Sequence, residues 1–159
     1  MTTITAAFIQ GGPTSVQFYG DVGNPATLPP SGNTTFGPSQ ITYTVTAGVL
    51  TQTIQRPLSH DVNDHDYQYC TPGPGCQVFT TILARGVDAN ATTNPLFVYY
   101  DATGAALGAL TATNLDDVDS IDIRVGMDTV STGPMGTTSI TTRVSLPNHE
   151  SLLRNGSTS

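Results

Sequence analysis

Apolar side chains return at every second position in widely separated stretches of this chain, and that period points to half-buried β-strands. In Ile41-Thr42-Tyr43-Thr44-Val45-Thr46 the odd positions are apolar or aromatic and the even ones are threonine. Ile121, Ile123 and Val125 alternate with Asp122 and Arg124 in the same way. Over residues 137–146 the same period predicts an inward face of Ile140, Val144 and Leu146, with Thr141, Arg143 and Ser145 outward. Each stretch has one face to bury and one to leave wet.

The punctuation between these stretches is that of a sheet protein. Ala47-Gly48 can make a two-residue turn, and residues 49–55 return with Leu50 and Ile54 in phase, so residues 41–55 read as a hairpin. Residues 16–21 and 78–87 read as further strands, the second holding Val78, Phe79, Ile82 and Leu83. Leu96-Phe97-Val98-Tyr99-Tyr100 is a compact aromatic strand that turns at Asp101-Ala102-Thr103-Gly104, where Asp favours turn initiation and Gly accepts a positive φ. A short helical turn follows, with Asn114 as its expected N-cap and Asp117 at the capping-box position. Residues 24–40 are rich in Pro, Gly and hydroxyl side chains and read as a loop, as does the irregular excursion 56–77. Pro147 ends the closing strand, and 148–159 reads as a flexible tail. Ile4, Ala7 and Phe8 fall at helical spacing ahead of Gly11-Gly12-Pro13, so residues 2–10 read either as the last turns of a helix or as a frayed terminus.

Charge narrows the function. Only 11% of the 159 residues are charged, against about a quarter in an average soluble protein, so Thr, Ser, Asn and Gln must supply the wet faces. That surface suits a protein outside the cytoplasm or packed into an assembly. There is no lysine, and the net charge of −7 rests largely on Asp, so five scattered Arg cannot build the basic patch that nucleic acid requires. No window reaches the roughly 18 apolar residues of a membrane span. The length supports one domain with a single core.

Three pieces, taken in order, resemble the C-terminal half of type IV pilin-like proteins, most closely the minor pilins and J- or W-type minor pseudopilins. They are Phe97-Val98-Tyr99-Tyr100-Asp101-Ala102-Thr103-Gly104, then residues 115–125, then Thr142-Arg143-Val144-Ser145-Leu146-Pro147-Asn148, where Pro147 stands in place of the usual Arg. The hairpin 41–55 also matches a recurrent element of those families. The resemblance implies an α+β pilin-like head, mostly antiparallel β-sheet of about seven strands, spanning residues 1–147 with residues 1–12 as the remnant of an N-terminal helix. It implies that the long hydrophobic helix precedes residue 1 and provides the only membrane contact. The function implied is a non-catalytic structural subunit of a type IV pilus or type II secretion-like filament, a minor subunit at the tip or priming assembly. Its partners would be other pilin or pseudopilin subunits, on a cell-surface filament or anchored in the cytoplasmic membrane, with no nucleic acid, small-molecule substrate or cofactor. A secreted adhesin or ligand-binding β module fits the composition and strand count equally well. A phage or capsid β domain fits the composition without explaining the landmarks.

Few residues are candidates for chemistry. Cys70 and Cys76 flank Thr-Pro-Gly-Pro-Gly, a tight loop that can bring two Cα atoms to bridging distance, so an extracytoplasmic disulfide is expected. Zinc would need two more ligands, and a redox-active dithiol is the remaining alternative. Asp61, Asn63, Asp64 and Asp66 offer closely spaced oxygen ligands for Ca²⁺, without the EF-hand glycine and terminal glutamate, and a solvated acidic turn explains them as well. Asp116, Asp117 and Asp119 suit the electrostatics of a helix start. His60, His65 and His149 are the only histidines, and Ser59-His60-Asp61 are sequence neighbours, whereas a triad is assembled from distant segments. No nucleophile elbow, zinc-protease or phosphate-loop motif occurs, so no catalytic, metal or cofactor residue is assigned. Asn33, Asn90 and Asn155 each begin an N-x-S/T sequon, as chance provides in a chain rich in Thr and Ser.

Overall fold

Turn chemistry fixes where the chain reverses. The structure, a computed structural model, describes residues 2–3, 7–20, 38–57, 59–60, 66–71, 73–74, 76, 78–129 and 136–145. Among these residues twelve strands run in order: β1 (Thr2–Thr3), β2 (Phe8–Gly11), β3 (Ser15–Gly20), β4 (Ser39–Thr46), β5 (Val49–Gln55), β6 (Ser59–His60), β7 (Asp66–Gln68), β8 (Val78–Arg85), β9 (Val87–Asp88), β10 (Phe97–Tyr100), β11 (Ser120–Thr129) and β12 (Gly136–Ser145). The β4–β5 turn holds Ala47 at φ 48° and Gly48 at φ 72°, the two positive values that a type I′ turn needs. After β10, the Asp101 carboxylate accepts hydrogen bonds from the Thr103 amide (2.9 Å), the Thr103 hydroxyl (2.6 Å) and the Ala105 amide (2.9 Å). Gly104 closes that turn at φ 83°.

The strands make two principal antiparallel sheets. One has the order β2-β3-β4-β5-β8, and the other has the order β10-β11-β12 with β9 pairing on β11. A small third sheet joins β1, β7 and β6. Cross-strand register puts Phe18 beside Ile41 and Val16 beside Tyr43 in the first sheet. In the second it puts Phe97 beside Ile123 and Tyr99 beside Ile121. Those apolar faces share one core that contains Phe8, Val16, Leu96, Phe97, Tyr99, Leu110, Val118 and Ile121. Ile41 and Leu96 are among the side chains that are almost wholly buried.

The expected α+β head is corrected by this arrangement. Every regular element among the described residues is a strand apart from one three-residue 3-10 turn, Leu115–Asp117, and the long N-terminal helix that an α+β pilin fold needs is absent from them. Thr2–Gln10, read as a helix remnant, contains β1 and most of β2. Its three helically spaced residues are outweighed by long-range pairing. Phe8 sits opposite Phe18, with ring centroids 6.2 Å apart, and meets Tyr99 edge-on at 6.1 Å. The capping box is also corrected. Asn114 makes no side-chain cap, because its Oδ1 accepts the Thr111 amide upstream at 2.6 Å. The tail at 148–159 and most of the loop 24–40 lie outside the described residues.

One short turn ties the two sheets together. Between β2 and β3, the Pro13 carbonyl accepts the amides of Leu96 (2.7 Å) and Phe97 (3.1 Å), and the Gly11 carbonyl accepts that of Leu110 (2.7 Å). The Thr14 carbonyl accepts the Val45 amide at 2.9 Å. The Tyr99 hydroxyl donates to the Gly12 carbonyl at 3.2 Å, with the Ser15 carbonyl at 3.3 Å, and burial pushes this phenol's pKa up. Gly11 is required here by space: a Cβ would lie 2.5 Å from Tyr99 Oη and 2.8 Å from Leu110 Cδ1.

Candidate functional site

The two sheets do not close fully over their shared core. Between them runs a groove of about 320 Å³. Phe8, Val16, Phe18 and Tyr43 wall it from the five-stranded sheet, and Phe97, Ile121, Ile123 and Val144 wall it from the other. Phe18 and Tyr43 lie stacked, with centroids 6.1 Å apart and planes 20° from parallel. Val144 is 41% exposed, so the cavity opens to the surface along β12. Among the described residues, no carboxylate, imidazole or cation lines it. Such a groove holds an apolar guest by contact and area, and offers no polar group to orient a reacting substrate. A second recess of about 310 Å³ at Gln10, Gly11, Gly12, Ser15 and Leu110 mixes polar and apolar walls and likewise has no titratable group among the described residues.

The expected inward face of β12 is only partly realised. Ile140 and Val144 lie opposite Val125 and Ile121 across the ladder, on the core side. Yet Ile140 is 65% exposed on β12, an edge strand of its sheet. Leu146 lies outside the described residues.

The opposite face of β10–β12 carries the main ionic cluster. The register pairs Asp122 with Arg143, whose Nε donates to Oδ1 at 2.6 Å and whose Nη2 donates to Oδ2 at 3.0 Å. Arg124 donates to Asp122 Oδ2 (3.3 Å) and to the Tyr100 hydroxyl oxygen (3.1 Å), and the Tyr100 hydroxyl donates to Asp122 Oδ2 (3.1 Å). The Arg143 guanidinium lies 4.3 Å from the centre of the Tyr100 ring. The Arg143 hydrogen bonds, aided by Arg124 and Tyr100 against the cost of desolvation, hold the Asp122 carboxyl down at about 2. Asp122 raises the Arg143 pKa in turn. Every charge here has a partner, so the cluster fixes register. The pattern Ile-Asp-Ile-Arg-Val marked these residues as outward, but only the pairing of β11 with β12 reveals which Arg meets which Asp.

Cys70 and Cys76 form a disulfide, with Cα atoms 5.5 Å apart. Gln55, at the end of β5, donates to the Cys70 carbonyl and so pins the closed loop to the five-stranded sheet. Tyr69 beside it packs against Tyr19 (5.8 Å between centroids) and donates to the Pro38 carbonyl at 2.5 Å. No helix among the described residues is long and apolar enough to cross a membrane. The disulfide is compatible with an extracytoplasmic location.

The other candidates do not build a site among the described residues. Asp61, Asn63, Asp64, His65 and His149 lie outside the described residues; His60 and Asp66 fall on the paired short strands β6 and β7, where His60 lies across from Tyr67, the residue after Asp66. Among the described residues no three His, Cys, Asp or Glu side chains cluster as a metal site would need. Asp116 and Asp117 sit in the 3-10 turn, with Asp119 just after it. Asn90 Oδ1 accepts the Thr92 and Thr93 amides in a local turn, whereas Asn33 and Asn155 are outside the described residues. Sequence reasoning missed the groove, whose walls come from positions between 8 and 144. Comparison with protein-family models, with curated proteins and with solved structures found no match to this chain.

Proposed function

We propose that this chain is a non-catalytic structural subunit that acts by assembly, the surface head of a filament of the type IV pilus or type II secretion kind, in contact with other pilin-like subunits. The observation that carries the reading is the apolar groove between the sheets, walled by aromatic and aliphatic side chains without a charge among them. A groove of that chemistry suits a row of apolar side chains from a neighbouring protein element and suits a small polar substrate poorly. The disulfide and the low charged fraction of 11% support an extracytoplasmic surface, and the order of landmarks over β10, β11 and β12 supports the filament family. Contact with a membrane would run only through a hydrophobic segment outside these residues. This reading does not lean on residues 2–10, whose described part holds β1 and most of β2.

A secreted adhesin or ligand-binding β module is the second reading, and the all-β architecture of the described residues favours it. The mature N-terminus of the native protein separates the two. Mass spectrometry of protein recovered from sheared surface filaments and from membranes should find an N-methylated residue heading a hydrophobic segment of roughly 20 residues. A terminus left by signal peptidase, without such a segment, would replace the filament reading with the adhesin.

A further inference from the structure

The strand β8 ends the five-stranded sheet: β5 lies on one side of it and, among the described residues, no strand lies on the other. Every residue from Phe79 to Leu83 is exposed, with Phe79, Ile82 and Leu83 at 49%, 50% and 48%. These side chains are not on one face. Phe79 sits across from Ile54 and Ile82 across from Thr51, and Leu83 is the extra residue of a bulge. A strand apolar on both faces cannot hide itself by tilting against its own sheet, and a strand paired alongside flanks its side chains on both faces at once. The free edge also carries a row of backbone amides and carbonyls that only water or a strand can satisfy in register. Of the usual protections the strand has only the bulge at Leu83: residues 78–82 contain no charge, proline or glycine, and the chain has no lysine to place there.

We infer that β8 is a docking edge for the β8 strand of a second copy of this chain, paired antiparallel about a two-fold axis at Thr80. The segment is complementary to itself in that register. Val78 meets Ile82 twice, Phe79 meets Thr81 twice, and the two Thr80 side chains face each other, all favourable cross-strand pairs. The only charge on the strand, Arg85, lies ten strand positions from its symmetry mate. At roughly 3.4 Å per residue the two guanidiniums stand about 34 Å apart, several Debye lengths at physiological salt, so they do not oppose the contact. The result is one sheet continuous across both copies. This inference stands apart from the filament reading, because a dimer of this kind suits an adhesin as well.

Sedimentation of the full 159-residue chain over a wide concentration series tests it. The expected result is a monomer that passes to a dimer as concentration rises. Thr80→Lys puts two ammonium groups face to face at the axis and should move the midpoint at least about tenfold higher. Ile82→Thr keeps a strand former but loses both apolar pairs, and should give a smaller shift in the same direction. Thr141→Lys, on the edge strand β12, should leave the midpoint in place. Far-UV circular dichroism and melting check each variant's fold, and if Thr80→Lys misfolds, Ile82→Thr carries the test. A monomer at every concentration overturns the inference, as does a dimer that Thr141→Lys dissolves and the β8 variants do not.

Discussion

The paired strands β10 and β11 and the edge strand β8 are built from similar residues and meet opposite fates. In β10 and β11 both faces are used: Phe97, Tyr99 and Ile121 enter the core, while on the other side Asp122 accepts hydrogen bonds from Tyr100, Arg124 and Arg143. In β8 the apolar residues Phe79, Ile82 and Leu83 remain half exposed. Strict alternation lets one face bury while the other finds polar partners, whereas Phe-Thr-Thr-Ile-Leu puts apolar groups on both faces and leaves one side unburied whichever way the strand turns. Local strand propensity is satisfied in both regions, and only the first turns it into stability.

Substitutions can break or sharpen that contrast. The largest effect is expected from Leu96→Ala beside β10, since a side chain with 1% exposure leaves a cavity; chemical denaturation should report a loss of about 2–5 kcal/mol. Gly11→Ala pushes a methyl into Tyr99 and Leu110 and should cost about 1–3 kcal/mol in the same assay. Replacing Cys70 and Cys76 together by serine releases a short loop, for which urea unfolding should show a loss of about 2 kcal/mol with the two sheets still formed. Asp122→Asn should cost about 1 kcal/mol, because both guanidiniums are partly exposed. The native Asp122 pKa of about 2 lies below the ordinary value near 4, so its ionised form favours the folded state. That contribution is complete above about pH 4 and disappears as pH falls towards about 2; a melting-temperature profile of Asp122→Asn should be flatter across that window. The smallest effect belongs to Leu83→Ala, the same change as at residue 96, which should stay within about 0.5 kcal/mol for a residue 48% exposed. Equal losses at Leu96 and Leu83 would erase the distinction between the two regions.

What could be read from the sequence follows the same division. The hairpin 41–55 was legible because alternation and turn chemistry agree, with only Ala47 adopting a positive φ that its residue type disfavours. The order of β10, β11 and β12 was legible for the same reason, and so was the pairing of two cysteines around Pro and Gly. The helix reading of residues 2–10 fails where the chain is described, because apolar positions at helical spacing are weak evidence and Phe8 obeys partners at Phe18 and Tyr99 that no local window contains. The groove and the ionic cluster depend on register between strands far apart in sequence, which composition and periodicity do not specify. For β8 the signal was present: its apolar residues fail to alternate, and such a strand cannot hide them on one face.

The turn at residues 11–15 also sets a kinetic condition. Its carbonyls bond to Leu96, Phe97 and Leu110, and the Tyr99 hydroxyl reaches back across 87 residues to Gly12. Contacts between segments so distant in sequence form only after a long loop has closed, which slows folding in proteins dominated by them. Each sheet can zip locally through its hairpins, but the two become one cooperative body only when this turn engages. Its bonded amides should therefore be among the last to exchange with solvent deuterium, and mutations there should speed unfolding more than they slow folding.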